Sequence, residues 1–364
     1  MTTKQVYLLI VILCFSYTKI NAQCNGLLSL CNKNYDKVAY LTSHNAFNSD
    51  EDNFLLPNQN FNITSQLNAG VRALMIDVYD VNGTPTVYHG FSALGSAPFL
   101  NYLTEIKSFL DNNPNEIVTI ILECYTTAIQ IENEINLSGL NNDLYTHDNN
   151  NWPTLQDMIN TGTRFVVFSD QDDASSLQGW YHYLWDYAVE THYTSNSLSD
   201  FNCDFNRGDS TNSLFILNHF ITDSTLGIGI ESEAIIANSN PFFINRAIQC
   251  YQEKTKFPNF ITVDFYEKGN GLDVVNELNQ ISPTLNVKGN YYSKKLFIYP
   301  NPSNDFIQVL ELQKKENYII YNSLMHKICI GSISNSERID IKNLTNGLYF
   351  LKLETGKFLK FIKE

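Results

Sequence analysis

Short apolar runs, each closed by a polar residue and separated from the next by an amphipathic stretch, constrain this chain more than any other feature. The runs at 38–41, 71–78, 117–122, 164–168, 214–217 and 260–263 read as strands, with a further one at 86–88. Residues 65–69 read as the end of a short helix, and helical spacing appears in 99–110, where Leu100, Leu103, Ile106 and Leu110 fall on one face before Asp111-Asn-Asn-Pro114 stops the pattern. Helices are also expected at 241–250 and 272–278. Buried-type strands alternating with helices argue for a parallel sheet covered on both sides, and a unit of about 260 residues suits a β/α barrel. Seven strands are legible and an eighth is not, so the expected fold class is α/β, an irregular or incomplete TIM-type barrel. The loop at 143–151 and the tyrosine-rich stretch at 180–193 carry no regular pattern and are read as aromatic rims.

The residues that end these runs form a series: His44, Asp77, His89, Glu123, Asp170, Asn218 and Asp264. In a parallel barrel, strand ends converge on one mouth, which is where barrel enzymes place their chemistry. Scattered structural polar groups have no reason to fall at the same end.

Charge divides the chain. Residues 290–364 hold 11 Lys+Arg against 7 Asp+Glu, net +4, and residues 23–289 hold 11 against 31, net −20. Two units of different character therefore meet near Ser282 to Tyr292. The first cannot be steered to nucleic acid, and any anionic substrate must be held by local groups or a bound cation. Residues 1–22, with Lys4, an apolar run and the small-residue exit Asn21-Ala22, read as a secretory signal peptide. No later run has the length of a membrane span. Six cysteines remain, and in an exported protein Cys24 with Cys31 and Cys203 with Cys250 are the plausible disulfides, leaving Cys124 as a buried thiol. From Leu296 the pattern changes to short alternating strands with turn residues, a small β-sandwich with no catalytic cluster. The chain thus divides into signal peptide 1–22, barrel 23–285, linker 286–295 and tail 296–364.

Two histidines can act as a general base and a general acid near neutral pH, and phosphodiester attack needs both: one proton leaves a nucleophilic hydroxyl and one reaches the departing alkoxide. His44 and His89 suit those roles, and Asp264 could fix a tautomer by accepting from one imidazole. Asn45, Asp77 and Glu123 offer the hard oxygens that calcium prefers. A single histidine after a strand is more often structural, and His147, His182, His192, His219 and His326 are read that way. Arg72 is read as the partner of a nearby acid, Gly227-Ile-Gly229 as a loop, and Asp170 and Asn218 as mouth residues without a specified role.

Thr42-Ser-His-Asn-Ala-Phe47, Gly70-Val-Arg-Ala-Leu-Met-Ile-Asp77, Tyr88-His-Gly90, the stretch from Phe109 to Glu123 and Pro258-Asn-Phe-Ile-Thr-Val-Asp-Phe265 together resemble the X domain of phosphatidylinositol-specific phospholipase C, over about residues 24–285. The resemblance implies a distorted barrel that cleaves a phospholipid phosphodiester through attack of an inositol 2-hydroxyl, giving diacylglycerol and a cyclic inositol phosphate. It implies His44 and His89 as the catalytic pair, with His89 protonating the leaving oxygen, and Asn45, Asp77 and Glu123 as Ca2+ ligands. Met75 departs from the pattern, because calcium-dependent relatives carry an acid there, whereas metal-free bacterial relatives carry arginine at the position of Asp77. The competing readings are a phosphodiesterase for another headgroup, such as a glycerophosphodiester, and an inactive module binding lipid or sugar phosphate.

Residues 296–364 resemble the C-terminal sorting domain of the type IX secretion system, through Tyr299-Pro-Asn-Pro302 and Asn346-Gly-Leu-Tyr-Phe350. That resemblance implies export through the type IX machinery and a secreted or cell-surface protein. The expected partners are this machinery and a phospholipid or inositol-phosphate substrate at a membrane surface, met by a monomer with no nucleic-acid role.

Overall fold

The computed structural model describes residues 23–364 apart from 149–150, 174–178, 224–227, 282–295, 311 and 325. The expected signal peptide, the linker and Gly227 lie outside the described residues.

Among its described residues the first unit contains eleven strands and eight α-helices in chain order: β1 Tyr40–Ser43, α1 Ile63–Asn68, β2 Ala73–Val81, β3 Thr84–Val87, β4 Ala97–Pro98, α2 Phe99–Asn112, β5 Val118–Tyr125, α3 Ala128–Ser138, α4 Leu155–Thr161, β6 Phe165–Ser169, β7 Tyr181–Tyr183, α5 Leu184–Tyr187, β8 Ala188–Thr191, β9 Phe205–Gly208, β10 Leu214–Asn218, α6 Glu231–Ala237, α7 Phe242–Lys254, β11 Phe260–Val263 and α8 Gly271–Gln280. Local signals set many of these bounds. Pro114 lies two residues past the end of α2, and a capping box between Thr127 and Gln130 starts α3. Gly139, at φ 82°, ends α3 in the left-handed conformation that glycine adopts without steric cost.

The strands pair in the order β7-β6-β5-β2-β1-β11-β10-β8, all parallel, with β9 antiparallel on the outer edge of β8. Among the described residues no ladder joins the two ends, so the curled sheet stays open, as an incomplete barrel should.

The count differs from the sequence expectation in two places. The run at 86–88 is no barrel stave: Asn82 and Gly83, both at positive φ, form a tight turn that folds β3 antiparallel onto β2. The missing staves are β7 and β8, both inside the tyrosine-rich stretch that shows no periodicity. They are three and four residues long, with a single turn of helix between them, too short to establish a pattern.

Alternation along each stave sorts two cores. Leu41, Leu74, Ile76, Ile120, Leu122, Val167, Leu217 and Val263 pack outward beneath the helices, while Tyr40, Ala73, Ile121, Phe168, Ile216 and Phe260 fill the barrel interior. Continuing the same parity places His44, Asp77, Glu123, Asp170, Glu190, Asn218 and Asp264 inside, at the carboxyl ends of their strands. Disulfides Cys24–Cys31 and Cys203–Cys250 form, and Cys124 is a buried thiol.

The tail forms two antiparallel sheets. One contains β12 Phe297–Tyr299, β13 Phe306–Leu310 and β16 Arg338–Asp340; the other contains β14 Glu316–Asn322, β15 Lys327–Ile333, β17 Gly347–Leu353 and β18 Phe358–Lys363. Its own core includes Ile307, Val309, Ile320, Leu351 and Phe361.

The barrel interior also holds a buried neutral histidine. His182 Nδ1 donates to the Val167 carbonyl at 2.8 Å, and Nε2 accepts from the His147 amide at 3.3 Å. A second proton would turn Nε2 toward another donor, and burial pushes the imidazole down to about 4. The unfolded chain takes up this proton at about 6.5, so the folded state loses stability as the pH falls from there toward about 4. Comparing urea midpoints of wild type and His182→Gln at pH 7 and pH 4.5 should show about 3 kcal/mol less acid destabilisation in the variant.

Candidate active site

The two sequence motifs that end in histidine meet at the mouth, each imidazole against its own aspartate. His44 follows β1, its amide bonded to the Val263 carbonyl, and its Nδ1 lies 2.9 Å from Asp264 Oδ1. Asp264 lies on the neighbouring strand's extension and is 1% exposed. His89 follows β3, and its Nδ1 lies 3.2 Å from Asp77 Oδ2 at the end of β2. The hairpin that removes β3 from the barrel is therefore what brings His89 back over Asp77.

An amide chain links the two pairs. Asn45 Nδ2 is 3.2 Å from His89 Nδ1 and donates to Asn58 Oδ1 at 3.2 Å, while Asn58 Nδ2 donates to Asp264 Oδ1 at 3.1 Å. Asn48 also donates to Asn58 Oδ1 at 2.8 Å, and Gln59 Nε2 donates to the His44 carbonyl at 2.8 Å. Phe220 closes the other side of His44, its ring stacked at 3.9 Å and 7°. Gly229 explains itself here, because a Cβ would sit 2.7 Å from Asp264 Oδ2.

A cavity of about 310 Å³ opens beside His44, its walls including Asn45, Asp77, Glu123, Asp170 and Asn218. The structure thus gathers His44, Asn45, Asp77, Glu123, Asp170 and Asn218 at this cavity, with Asp264 behind His44 and His89 tied in through Asp77 and Asn45. It keeps the other barrel histidines with described contacts away from it. His147 and His182 pack with Tyr145 and Trp152, and His219 is buried against Arg246. Arg72 bonds Glu116 at 2.7 Å and two backbone carbonyls, a structural role.

Asp77 and Glu123 are register partners on adjacent parallel strands, so their side chains leave the same face roughly 5 Å apart at the backbone. Burial raises the Asp77 carboxyl, the His89 hydrogen bond opposes that rise, and the Glu123 charge adds to it. Two such carboxylates beside the Asn45 amide suit an oxygen-seeking ion that fills the rest of its shell with water or substrate. Met75, two residues before Asp77, lines the same cavity with a thioether where a further hard ligand would stand. Among the described residues no three His, Cys, Asp or Glu side chains converge as a ready metal cluster. The donor set fits calcium only as two carboxylates and an amide oxygen.

Sequence reading missed Asn58, Gln59, Phe220, Trp185, Glu190 and Arg207. Asn58 and Gln59 lie in a polar loop that looks like ordinary surface, and Glu190 lies on the unrecognised β8. Arg207 carried the one available hint, as a cation in a unit with net charge −20.

A family model described as PI-PLC X 1 matches residues 30–279. The chain belongs to the PI-PLC X family. This PI-PLC X domain is similar to a PI-PLC X domain-containing protein of Arabidopsis thaliana, 30% identical over 273 residues, which covers 68% of this chain and 62% of that protein. An uncharacterized secreted protein of Arthroderma benhamiae is 27% identical, covering 68% of this chain and 61% of that one. The chain thus spans about three fifths of the length of these two relatives. Phosphatidylinositol-specific phospholipase C from Listeria monocytogenes shares the fold, with a TM-score of 0.50 at 17% identity over 72% of this chain and 99% of that one. Family and fold together give the barrel a phospholipase C-like architecture. A second model, described as a secretion system C-terminal sorting domain, matches residues 297–364. That type IX sorting tail marks the chain for the cell surface or the extracellular space.

Asn58 joins Asp264, Asn45 and Asn48 in one buried network of the PI-PLC X domain. Asn58→Leu keeps the approximate volume and strips a partner from each, so it should lower unfolding free energy by about 2–4 kcal/mol, read from the chemical denaturation midpoint.

Proposed function

We propose that the barrel cleaves phosphatidylinositol-type phospholipids by proton transfer through His44 and His89. The observation that carries this reading is the pair of imidazole–aspartate contacts, linked by Asn45 and Asn58 at the edge of one cavity. With Nδ1 donating to Asp264, the His44 Nε2 is the basic nitrogen and can take the proton of the inositol 2-hydroxyl. The freed oxygen bonds to phosphorus, the bond from phosphorus to the diacylglycerol oxygen breaks, and a protonated His89 supplies the proton to that leaving oxygen. In each case a buried carboxylate faces Nδ1 and holds the ring in one orientation, Asp264 behind His44 and Asp77 behind His89.

Asn45, Asp77 and Glu123 would hold a calcium ion, whose chemistry when bound is to offset negative charge on the phosphate oxygens. The lipid surface as partner is supported by Leu55, Leu56 and Phe91, which are exposed on two mouth loops joined by the Leu55 amide and the Leu94 carbonyl at 2.6 Å. Asn58 lies on the first of these loops, and His89 lies two residues before Phe91 on the second.

Met75 favours a second reading, a module that binds the headgroup without cleaving it, because it removes a hard ligand from the cation site. Hydrolysis of phosphatidylinositol in mixed micelles by the purified full chain separates the two. We expect diacylglycerol and cyclic inositol phosphate as products, with His44→Ala and His89→Ala each lowering kcat by about 10²–10⁴-fold while the fold is retained. Wild-type turnover of zero, or full activity in either variant, would sink the mechanism. Chelation followed by calcium add-back on one sample should abolish and then restore the rate, and a rate indifferent to EDTA would remove Asn45, Asp77 and Glu123 from the reaction.

A further inference from the structure

The four-stranded sheet of the tail has one protected edge and one open edge. β18 is covered by the segment between β12 and β13: Asn301 Nδ2 donates to the Lys360 carbonyl at 3.0 Å, the Ile362 amide donates to Asn301 Oδ1 at 2.8 Å, and the Ser303 amide donates to the Ile362 carbonyl at 2.9 Å. β15, at the other end, pairs with β14 alone, and among the described residues no hydrogen bond reaches its outer side. An edge strand offers a row of free N–H and C=O groups, which proteins ordinarily blunt with charge, proline or distortion. β15 reads Lys-Ile-Cys-Ile-Gly-Ser-Ile, with Lys327 its only charge and no proline. Its one distortion comes early, where the ladder slips between Ile320 and Tyr321 and passes over Ile328; from Cys329 to Ile333 the pairing is regular. Ile328 is 42% exposed and Ile330 64% exposed, so the middle of this edge is apolar and open to water. Between them lies Cys329, the one cysteine among the described residues that is neither disulfide-bonded nor fully buried.

Self-complementarity identifies what covers this edge. Set antiparallel against a second β15 about a two-fold axis at Cys329, Ile328 of each copy faces Ile330 of the other, and each Lys327 faces Gly331 rather than a second lysine. The apolar pair is thus buried twice and the like charges stay apart. The two Cys329 residues stand directly opposite. Facing residues of an antiparallel pair lie about 4.5–5.5 Å apart at Cα, inside the range of about 4.4–6.8 Å that a disulfide spans. An unpaired cysteine in an exported chain points the same way, because thiols outside the cell meet oxidising conditions. Since β18 is already covered, pairing through β15 closes at two copies instead of growing into a filament.

We propose that the chain forms a two-fold dimer through its tail, β15 pairing antiparallel with β15 of a second copy about Cys329. The dimer replaces the monomer expected from the sequence and is independent of the chemistry at the barrel mouth. Oxidised glutathione can lock it: each Cys329 sulfur gives up its proton as one S–S bond forms between the copies, and the glutathione disulfide is reduced to two thiols.

The test uses the full chain and two readouts. Light scattering under reductant measures the mass without any crosslink, and twice the mass of one chain is expected. Ile330→Lys replaces an exposed side chain, so the fold should persist, and it sets an ammonium against Ile328 at two places; the dimer dissociation constant should rise at least about tenfold. Non-reducing electrophoresis after treatment with oxidised glutathione should show a covalent dimer. Cys329→Ser should abolish that covalent dimer and leave the dimer seen by scattering in place. A monomeric wild type, the result expected if a strand of another protein fills this edge, overturns the proposal, and so does a dimer that Ile330→Lys leaves unchanged. A dimer that Ile330→Lys weakens but that yields no Cys329 crosslink overturns the register about Cys329.

Discussion

A carboxylate taken out of water is costly unless hydrogen bonds and an opposing charge meet it, and the mouth of this barrel is arranged around one such group. Asp264 receives His44 and Asn58 on Oδ1, while Oδ2 has no hydrogen-bond partner among the described residues and is closely approached by Gly229. Asn238 holds the Asp264 carbonyl at 2.9 Å, and Gln59 bonds the His44 and Val263 carbonyls and the Tyr266 amide. The loop after β1 therefore cannot move without disturbing the charge behind His44. Rigidity of the His44 imidazole follows from that coupling, since a side chain fixed on one nitrogen presents the other in one direction.

Asp77 stands in a different position, because two demands fall on it. Oδ2 faces His89, and the register with Glu123 places a second carboxylate beside it. A carboxylate has two oxygens, so one can orient an imidazole while the other turns toward a cation. The rise in the Asp77 carboxyl caused by burial and by Glu123 is the strain that a cation would relieve. His89 relieves part of the same strain when protonated. In the proposed reaction a cation and His89 would thus share one residue, and Met75, by leaving the ligand set short, would shift more of that load onto His89.

The legible part of the molecule was the series of apolar runs, each closed by a polar residue. A parallel barrel brings such strand ends to one mouth, which is enough to group His44, Asp77, Glu123, Asp170, Asn218 and Asp264 from the sequence. The parts that escaped have physical reasons. At three and four residues, β7 and β8 complete no period, and their loss hid Glu190. Asn58 gains its importance only when the loop folds back on β11, a contact spanning 206 positions that local spacing cannot express. The run at 86–88 was a true strand assigned to the wrong layer, because a tight turn at Asn82-Gly83 returns it onto β2.

The acidity of the barrel unit takes on meaning once the cavity is seen. A net charge of −20 over residues 23–289 opposes approach to an anionic surface, yet the reacting group of a phospholipid is itself an anion. The exposed Leu55, Leu56 and Phe91 provide contact that does not depend on charge. Inside, Arg207 is spent on Glu190 rather than left to attract phosphate. On the proposed reading, attraction of a diester would fall to the two imidazoles when protonated and to an ion held beside Asp77 and Glu123. The Arg207 side is balanced in charge by Glu190. An acidic protein built this way would meet an anionic bond at one side of a single cavity without presenting an unpaired cation to anions in general.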